Sequence, residues 1–325
     1  MVRAEVIEKL FDVIDETSMI ISAELKMNYL HALCESCSNV TAQSVNQSLN
    51  PEVVEALEKL YDELEELEFS QEEVRKALQL GILKGLKAER LTNSVMTPDS
   101  LAMMVGYLIS KFMPNLEGAK IGDLTVGTGN FLTAILNYLN KDFGGIYGVD
   151  LDSDLIKIAF SLADMQEHAI QFYQQSSLKS LLIEPLDIII GDLPDGHTSV
   201  DDVTLSLKDE GCDYLPYLLI ENHLKYLKPG GYAFYIVPNE IFNQPHSAAF
   251  HKMLTEYAHI QGLLQLPISM FKSQELGKSI FIVQRKGENV SPVNEVLLAE
   301  LPRFSDANQF AQTLKRIEDW IKLNK

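Results

Sequence analysis

Residues 119–132 read AKIGDLTVGTGNFL, and residues 144–152 read GGIYGVDLD. Each begins as an apolar run of strand length, and the first ends in a glycine turn that opens into helix-forming sequence. Ligands of open α/β sheets bind at the carboxyl ends of the strands, and both of these ends carry suitable residues. Gly127 and Gly129 let the backbone turn tightly and approach a ligand closely. The third glycine favoured by dinucleotide-binding turns is missing, because Leu132 stands there. Asp150 follows Gly129 by 21 residues and ends the second strand. An acceptor-only carboxylate at that place takes hydrogen bonds from both hydroxyls of a ribose. Asp123, just ahead of the glycines, would repel a pyrophosphate and suits an amino group. Together the two strand ends point to a nucleoside cofactor that carries positive charge.

Outward from this pair, strands and helices alternate. Further strand candidates are PLDIIIGD (185–192), GYAFYIVP (231–238), QGLLQLP (261–267) and KSIFIVQRKG (278–287). Helical stretches at 98–112, 130–140, 153–167, 213–227 and 245–257 lie among them. Such alternation predicts a mostly parallel sheet covered by helices on both faces. The last two strands have no helix between them, which predicts a terminal antiparallel hairpin. A short strand in NEVLLAEL (294–301) and a helix with the stripe Phe310, Leu314, Ile317 and Ile321 follow. Trp320 beside that stripe is read as packing.

Residues 1–90 read as helices only. Val53, Leu57, Leu60, Leu64 and Leu67 form one stripe behind Asn50 and Pro51, an N-cap and a first-turn proline. Ser70 and Glu73 have capping-box spacing, ahead of Val74, Leu78, Ile82 and Leu86. Two earlier helices are expected over about 3–18 and 20–36. The division is therefore a helical domain over 1–90, an α/β domain over 91–290 and a strand–helix extension over 291–325 packed on the core.

The 325 residues hold 27 Lys and Arg against 46 Asp and Glu, a net charge of -19, with 46% apolar residues. That composition supports a real core and excludes disordered and collagen-like chains. No apolar run approaches a membrane span, no signal peptide is visible and three cysteines are too few for a disulfide framework. A cytoplasmic, soluble protein without membrane contact is expected. The negative field opposes binding to nucleic-acid phosphates. Residues 1–90 carry 9 basic and 18 acidic side chains and the remainder 18 and 28, so neither part is a basic module. Lys272, Lys278, Arg285 and Lys286 cluster in sequence and are read as a solvated loop. The acidic run Glu63, Glu65, Glu66 and Glu68 is read as a solvated helix face. His31, Cys34 and Cys37 lack the second pair that structural zinc requires, so no metal is expected.

Further stretches occur in a telling order. They are VMTPDSLAMMVGYL (95–108), DLTVGTGNFL (123–132), YGVDLD (147–152), FYQQSSLKSL (172–181), Asp192-Leu193-Pro194-Asp195 and KYLKPGGYAFYIVPNEIF (225–242). Over residues 90–290 the chain resembles class I S-adenosylmethionine-dependent methyltransferases, in particular N6-adenine DNA methyltransferases and their small bacterial relatives with a helical N-terminal domain. The resemblance implies a Rossmann-like seven-stranded sheet, mostly parallel with an antiparallel terminal hairpin, and S-adenosylmethionine as cofactor. It implies a cofactor-binding set of Thr97, Asp123, Thr125, Gly127, Gly129, Asn130, Phe131, Asp150, Leu151, Ser176 and Ser177. Within it, Thr97 lies near the methionine end, Asp150 holds the ribose and Leu151 packs on the adenine. It also implies catalytic roles at Asp192, Leu193 and Pro194. There the Asp192 side chain and the Leu193 carbonyl accept the hydrogens of the acceptor amino group and aim its lone pair.

Four positions depart from the family pattern. Leu124 replaces a proline, and Ser176 stands where an Asp is usual. The family's fourth motif is Asp or Asn, two prolines and an aromatic; in Asp192-Leu193-Pro194-Asp195, Leu193 replaces the first proline and Asp195 the aromatic residue that stacks on a flipped base. His197 is the nearest ring. The roughly 35 residues after the last core strand are too few for a separate DNA-recognition module, so none is expected there. The first activity to expect is methyl transfer to an amino nitrogen, with adenine in DNA the first acceptor. Transfer to RNA or to protein glutamine is one alternative. A cofactor-binding protein that has lost transfer and acts through protein contacts or dimerisation of its helical domain is another. A nicotinamide enzyme is disfavoured by Asp123 and the absent third glycine.

Overall fold

The computed structural model describes residues 2–89 and 96–325. The expected domain junction at 90 and 91, and Val95 at the head of the 95–108 stretch, lie outside the described residues. Four helices come first: α1 (Ala4–Leu25), α2 (Tyr29–Ala42), α3 (Pro51–Asp62) and α4 (Gln71–Ala88). The first break falls later than the sequence suggests. Thr17 and Ser18 turn their hydroxyls back onto the carbonyls of Val13 and Ile14, so α1 continues past them. It ends only at Lys26, in left-handed conformation at φ 53°. Asn28 then caps α2, accepting from the His31 N–H at 2.8 Å. The Ser70/Glu73 capping box starts α4 with both of its reciprocal bonds formed. Gly85 lets α4 approach α2 closely, because a Cβ there would lie 2.4 Å from Leu30 Cδ2.

The α/β part runs α5 (Asp99–Phe112), β1 (Lys120–Asp123), α6 (Asn130–Leu139), β2 (Gly145–Asp150), α7 (Ser153–Asp164), β3 (Ile170–Gln174) and β4 (Leu186–Asp192). It continues through α8 (Ser206–Asp209), α9 (Leu215–Tyr226), β5 (Leu227–Pro238), α10 (Ser247–Tyr257), β6 (Ala258–Gln265), β7 (Lys278–Arg285), β8 (Leu297–Glu300) and α11 (Ala307–Asn324). The sheet order is β3-β2-β1-β4-β5-β7-β6-β8. Strand β7 is antiparallel to both β5 and β6, whereas the remaining neighbours are parallel.

The Rossmann-like sheet with its antiparallel β6–β7 hairpin is as expected, with one strand more. The short strand of residues 297–300 pairs along the outer edge of β6 and makes the sheet eight-stranded. Strand β3 is missing from the strand candidates of the sequence. It is an edge strand with no fully buried residue, so apolar alternation hardly marks it.

Strand alternation fills two cores. On β5, Phe234 and Ile236 join α5, α6 and α11 on one face, and Ala233, Tyr235 and Val237 join α9 and α10 on the other. In the first core Ile317 of α11 is fully buried and the Trp320 ring lies 5.9 Å from Phe112, so this helix packs on the sheet. The helical layer shares a third core with the α/β part, in which Leu10, Ile14, Leu33 and Leu78 meet Ile158 and Leu162 of α7. No helix among the described residues is long and apolar enough to cross a membrane.

Candidate active site

Strand order reverses between β1 and β4, and a cavity of about 670 Å³ opens at their carboxyl ends. Its position is the switch point at which open α/β sheets take ligands, and its size fits one small molecule. A larger groove of about 1110 Å³ lies between the helical layer and the end of α7. None of the sequence-predicted site residues lines that groove.

Of the residues singled out from sequence, Thr97, Asp123, Thr125, Gly127, Phe131, Asp150, Leu151, Ser176, Ser177, Asp192, Leu193 and Pro194 line the strand-end cavity. Gly129 and Asn130 do not. Gly129, at φ 77°, sits against α7, where a Cβ would meet the Ala159 Cα at 3.1 Å. Asn130 is buried and faces away from the cavity. Its Nδ2 donates to the Thr97 carbonyl at 3.0 Å, and its Oδ1 accepts from Arg75 Nη1 at 2.6 Å.

The glycine turn is held from both sides. Asp150 Oδ2 accepts the Gly127 N–H at 2.9 Å and its Oδ1 accepts the Asp152 N–H at 3.0 Å. Each oxygen keeps a lone pair for a ligand hydroxyl. Leu151, beside it, is an apolar side chain 69% exposed at the rim. Ser177 donates to the Leu124 carbonyl and so ties the β3–β4 connection to the β1 loop. Ser176 accepts the Leu178 N–H at 3.4 Å.

Asp123 lies on the floor of the cavity, buried, with Oδ1 accepting the Thr125 N–H at 3.0 Å. Burial pushes its carboxyl up to about 8, the Thr125 bond works against this, and the Asp150 and Asp192 carboxylates add to it. A cationic ligand group set on Asp123 would restore its ionised form and release a proton. Without ligand, the folded protein retains between pH 3.8 and about 8 a proton that the unfolded chain has lost. This contribution to stability is therefore present at low pH and is lost as pH rises through about 8. Thermal unfolding followed from pH 5 to pH 9 should show the decline in the wild type and a flatter profile in Asp123→Asn. Equal slopes in both proteins would remove Asp123 as the source.

Asp192 ends β4. Its Oδ2 accepts from Thr97 Oγ1 at 3.0 Å and its Oδ1 from Lys278 Nζ at 2.6 Å. Asp195 also faces the cavity, but its Oδ1 accepts from the Tyr214 hydroxyl at 2.9 Å and from the Gly196 N–H. His197 pairs with Asp213 at 2.8 Å and is not part of the cavity wall. Phe131 is the one aromatic side chain among the described lining residues, and the wall near Pro194 is formed by Thr198, Val200, Leu215 and Leu219. Among the described lining residues the cavity thus presents four Asp side chains and one cation, Lys278. That balance suits a ligand with ammonium and sulfonium charges and opposes a pyrophosphate.

Residues 87–321 match the N-6 DNA Methylase family, and residues 8–86 match the YtxK N-terminal helical domain. The chain belongs to the N-6 DNA methylase family. This N-6 DNA methylase family member is 34% identical over 320 residues to the uncharacterized protein YtxK of Bacillus subtilis (strain 168), covering 97% of each chain. It superposes with a TM-score of 0.89 and 37% identity on a Listeria monocytogenes protein crystallised as a candidate class I S-adenosylmethionine-dependent methyltransferase. That match covers 98% of this chain and 100% of the other. The methyltransferase subunit of a Streptococcus thermophilus type I restriction-modification system shares the fold, at TM-score 0.62 and 11% identity over 98% of this chain and 75% of that one.

Two residues of this family member escaped the sequence reading. Lys278, placed there in a solvated loop, belongs to the cavity, and its sequence neighbours go elsewhere. Arg285 donates to the carbonyls of Lys225 and Leu227, and Lys286 to that of Thr255. An available signal was that β7 runs antiparallel, so its first residue lies at the ligand end of the sheet. Arg75 on α4 is the second, and no local pattern marks it. His31 Nε2 lies 3.1 Å from Asp154 Oδ1, and burial pushes the Cys34 thiol up to about 11. No group of three or more His, Cys, Asp or Glu with metal-holding geometry occurs among the described residues.

Proposed function

We propose that the protein is an S-adenosylmethionine-dependent N-methyltransferase that transfers methyl to an amino nitrogen, with adenine in DNA the first acceptor to test. The observation that carries this reading is the convergence of Asp123, Asp150 and Asp192 on one cavity from the ends of β1, β2 and β4. Asp123 is a buried carboxylate placed for the amino group of the methionyl part. Asp150 is an acceptor placed for the ribose, and Leu151 is the apolar cover for the adenine. Family membership supports the same cofactor.

Bound S-adenosylmethionine supplies an electrophilic sulfonium methyl. What the chain itself does is to orient the nitrogen that receives it. An exocyclic amino nitrogen is a poor nucleophile because its lone pair is delocalised. The Asp192 side chain and the Leu193 carbonyl accept its two hydrogens and turn the lone pair toward the methyl carbon. Transfer would leave the nitrogen with a proton to lose, for which the Asp192 carboxylate would be the neighbouring acceptor.

A second reading is favoured by two observations. The aromatic residue of the fourth motif is replaced by Asp195, and both Asp192 oxygens already have partners within the chain. On that reading the protein binds the cofactor without transfer and acts through its helical domain. An intermediate outcome keeps transfer but moves it to protein glutamine or RNA. One experiment separates these: tritium from methyl-labelled S-adenosylmethionine is followed into DNA, RNA and protein of an unmethylated lysate. The first reading predicts label in DNA as N6-methyladenine. Label in protein or RNA would replace the acceptor, and no label with binding confirmed on the same sample would favour the second reading.

A further inference from the structure

We infer that Lys278 is a positioning residue of the transfer site, fixing the Asp192 carboxylate and cancelling its charge so that the acceptor subsite takes a neutral nitrogen and turns away an ammonium. The inference deepens the proposed function and rests on it.

Lys278 is not a loosely held surface lysine. It begins β7 in register with Pro238 at the end of β5. Its carbonyl accepts the Leu266 N–H at 3.0 Å, and the preceding Gly277 carbonyl accepts the Asn239 N–H at 2.9 Å. The following Ser279 hydroxyl donates to Asn239 Oδ1 at 2.7 Å. From this anchored backbone the side chain crosses the end of β5 to reach Asp192 on β4, two strand spacings or roughly 10 Å away. Its side chain is 28% exposed and that of Asp192 17%.

With Oδ1 held by Lys278 and Oδ2 by Thr97, the plane of the carboxylate is set, and each oxygen retains a lone pair for an acceptor N–H. Among the described lining residues Lys278 is also the one cation on a wall that carries Asp123, Asp150, Asp192 and Asp195. Without it, Asp192 would be a bare carboxylate beside the methyl-bearing end of the cavity and would attract an alkylammonium. An ammonium has no lone pair to give and would be held unreactive. With Lys278 present, an ammonium meets a neutralised carboxylate and a second positive charge. An amino group that is uncharged at neutral pH meets no such barrier.

Cofactor forms that differ in charge test this without knowledge of the acceptor. Calorimetric affinities of the full chain are measured for S-adenosylmethionine, a sulfonium cation, and S-adenosylhomocysteine, a neutral thioether. Lys278→Met should raise the preference for the sulfonium over the thioether about 3- to 10-fold, the screened interaction of unit charges several Å apart. Lys278→Arg should restore the wild-type ratio, and Asp192→Asn added to Lys278→Met should abolish the gain. A merely structural lysine would change both affinities alike, so an unchanged ratio in Lys278→Met, or no restoration by Lys278→Arg, overturns the inference. If wild type binds neither compound, the cofactor reading itself falls and takes the inference with it. Both compounds bound with an unmoved ratio would sink the role of Lys278 alone.

Discussion

Arg75→Met is expected to destabilise the protein by about 3 kcal/mol, the lower end of the range for breaking a buried ion pair. Arg75 is 1% exposed, and all five of its N–H donors have partners. Nε and Nη2 donate to Glu72, each at 2.7 Å, and Nη1 and Nη2 to the two oxygens of Asp99, each at 2.9 Å. The remaining Nη1 hydrogen goes to Asn130 Oδ1. Methionine fills much of the volume but leaves these acceptors to others. Asp99 keeps Lys76 and Gln79, and Glu72 keeps Asn137, so neither carboxylate is stranded. That is why the loss stays near the low end, although Asn130 loses the partner that orients it.

The melting temperature should move down by roughly 4–5 °C. The effect should also reach the cavity, because Asn130 holds the Thr97 carbonyl and the Thr97 hydroxyl holds Asp192. A continuous hydrogen-bonded path thus joins α4 of the helical layer to the end of β4. A melting temperature within 1 °C of wild type would show that this cluster contributes nothing net to stability.

Asp150→Ala is expected to weaken S-adenosylmethionine binding about 10- to 100-fold, in line with the loss of charge-assisted hydrogen bonds of about 1.5–3 kcal/mol. Two effects combine in that figure. The ribose loses its acceptor, and the Gly127 and Asp152 N–H groups lose the carboxylate that shapes the turn. Asp150 lies at a strand end and is only partly buried, so the melting temperature should change little. Equilibrium dialysis or calorimetry against the radiolabelled or unlabelled cofactor measures the first effect, and a thermal scan controls for the second. Wild-type affinity in the mutant would show that the ribose is not held there.

What could be read from the sequence was what is local to one strand end. Asp123, Gly127 and Asp150 sit where an apolar run stops, and a strand end at a parallel sheet's switch point is already a binding place. The fourth motif was legible for the same reason, since Asp192 closes the run that becomes β4. Residues whose place depends on distant packing were not. The resemblance puts Asn130 in the cofactor set, yet its side chain is held by Arg75, 55 positions away on another layer. Gly129, in the cofactor set that the resemblance implies, also makes room for α7. Lys278 lies 86 positions from Asp192, and only the antiparallel direction of β7 brings the two together. Of the two edge strands, β8 falls within the expected strand at 294–301, whereas β3 has no buried residue, and alternation fades where both faces meet solvent.

The most direct test of the central claim is a crystal structure of the protein with S-adenosylhomocysteine bound. The predicted result has the ligand in the strand-end cavity, its ammonium on Asp123, both ribose hydroxyls on Asp150 and its sulfur facing Asp192. A ligand seated in the groove between the helical layer and α7, or in the cavity with its ribose away from Asp150, would contradict the account.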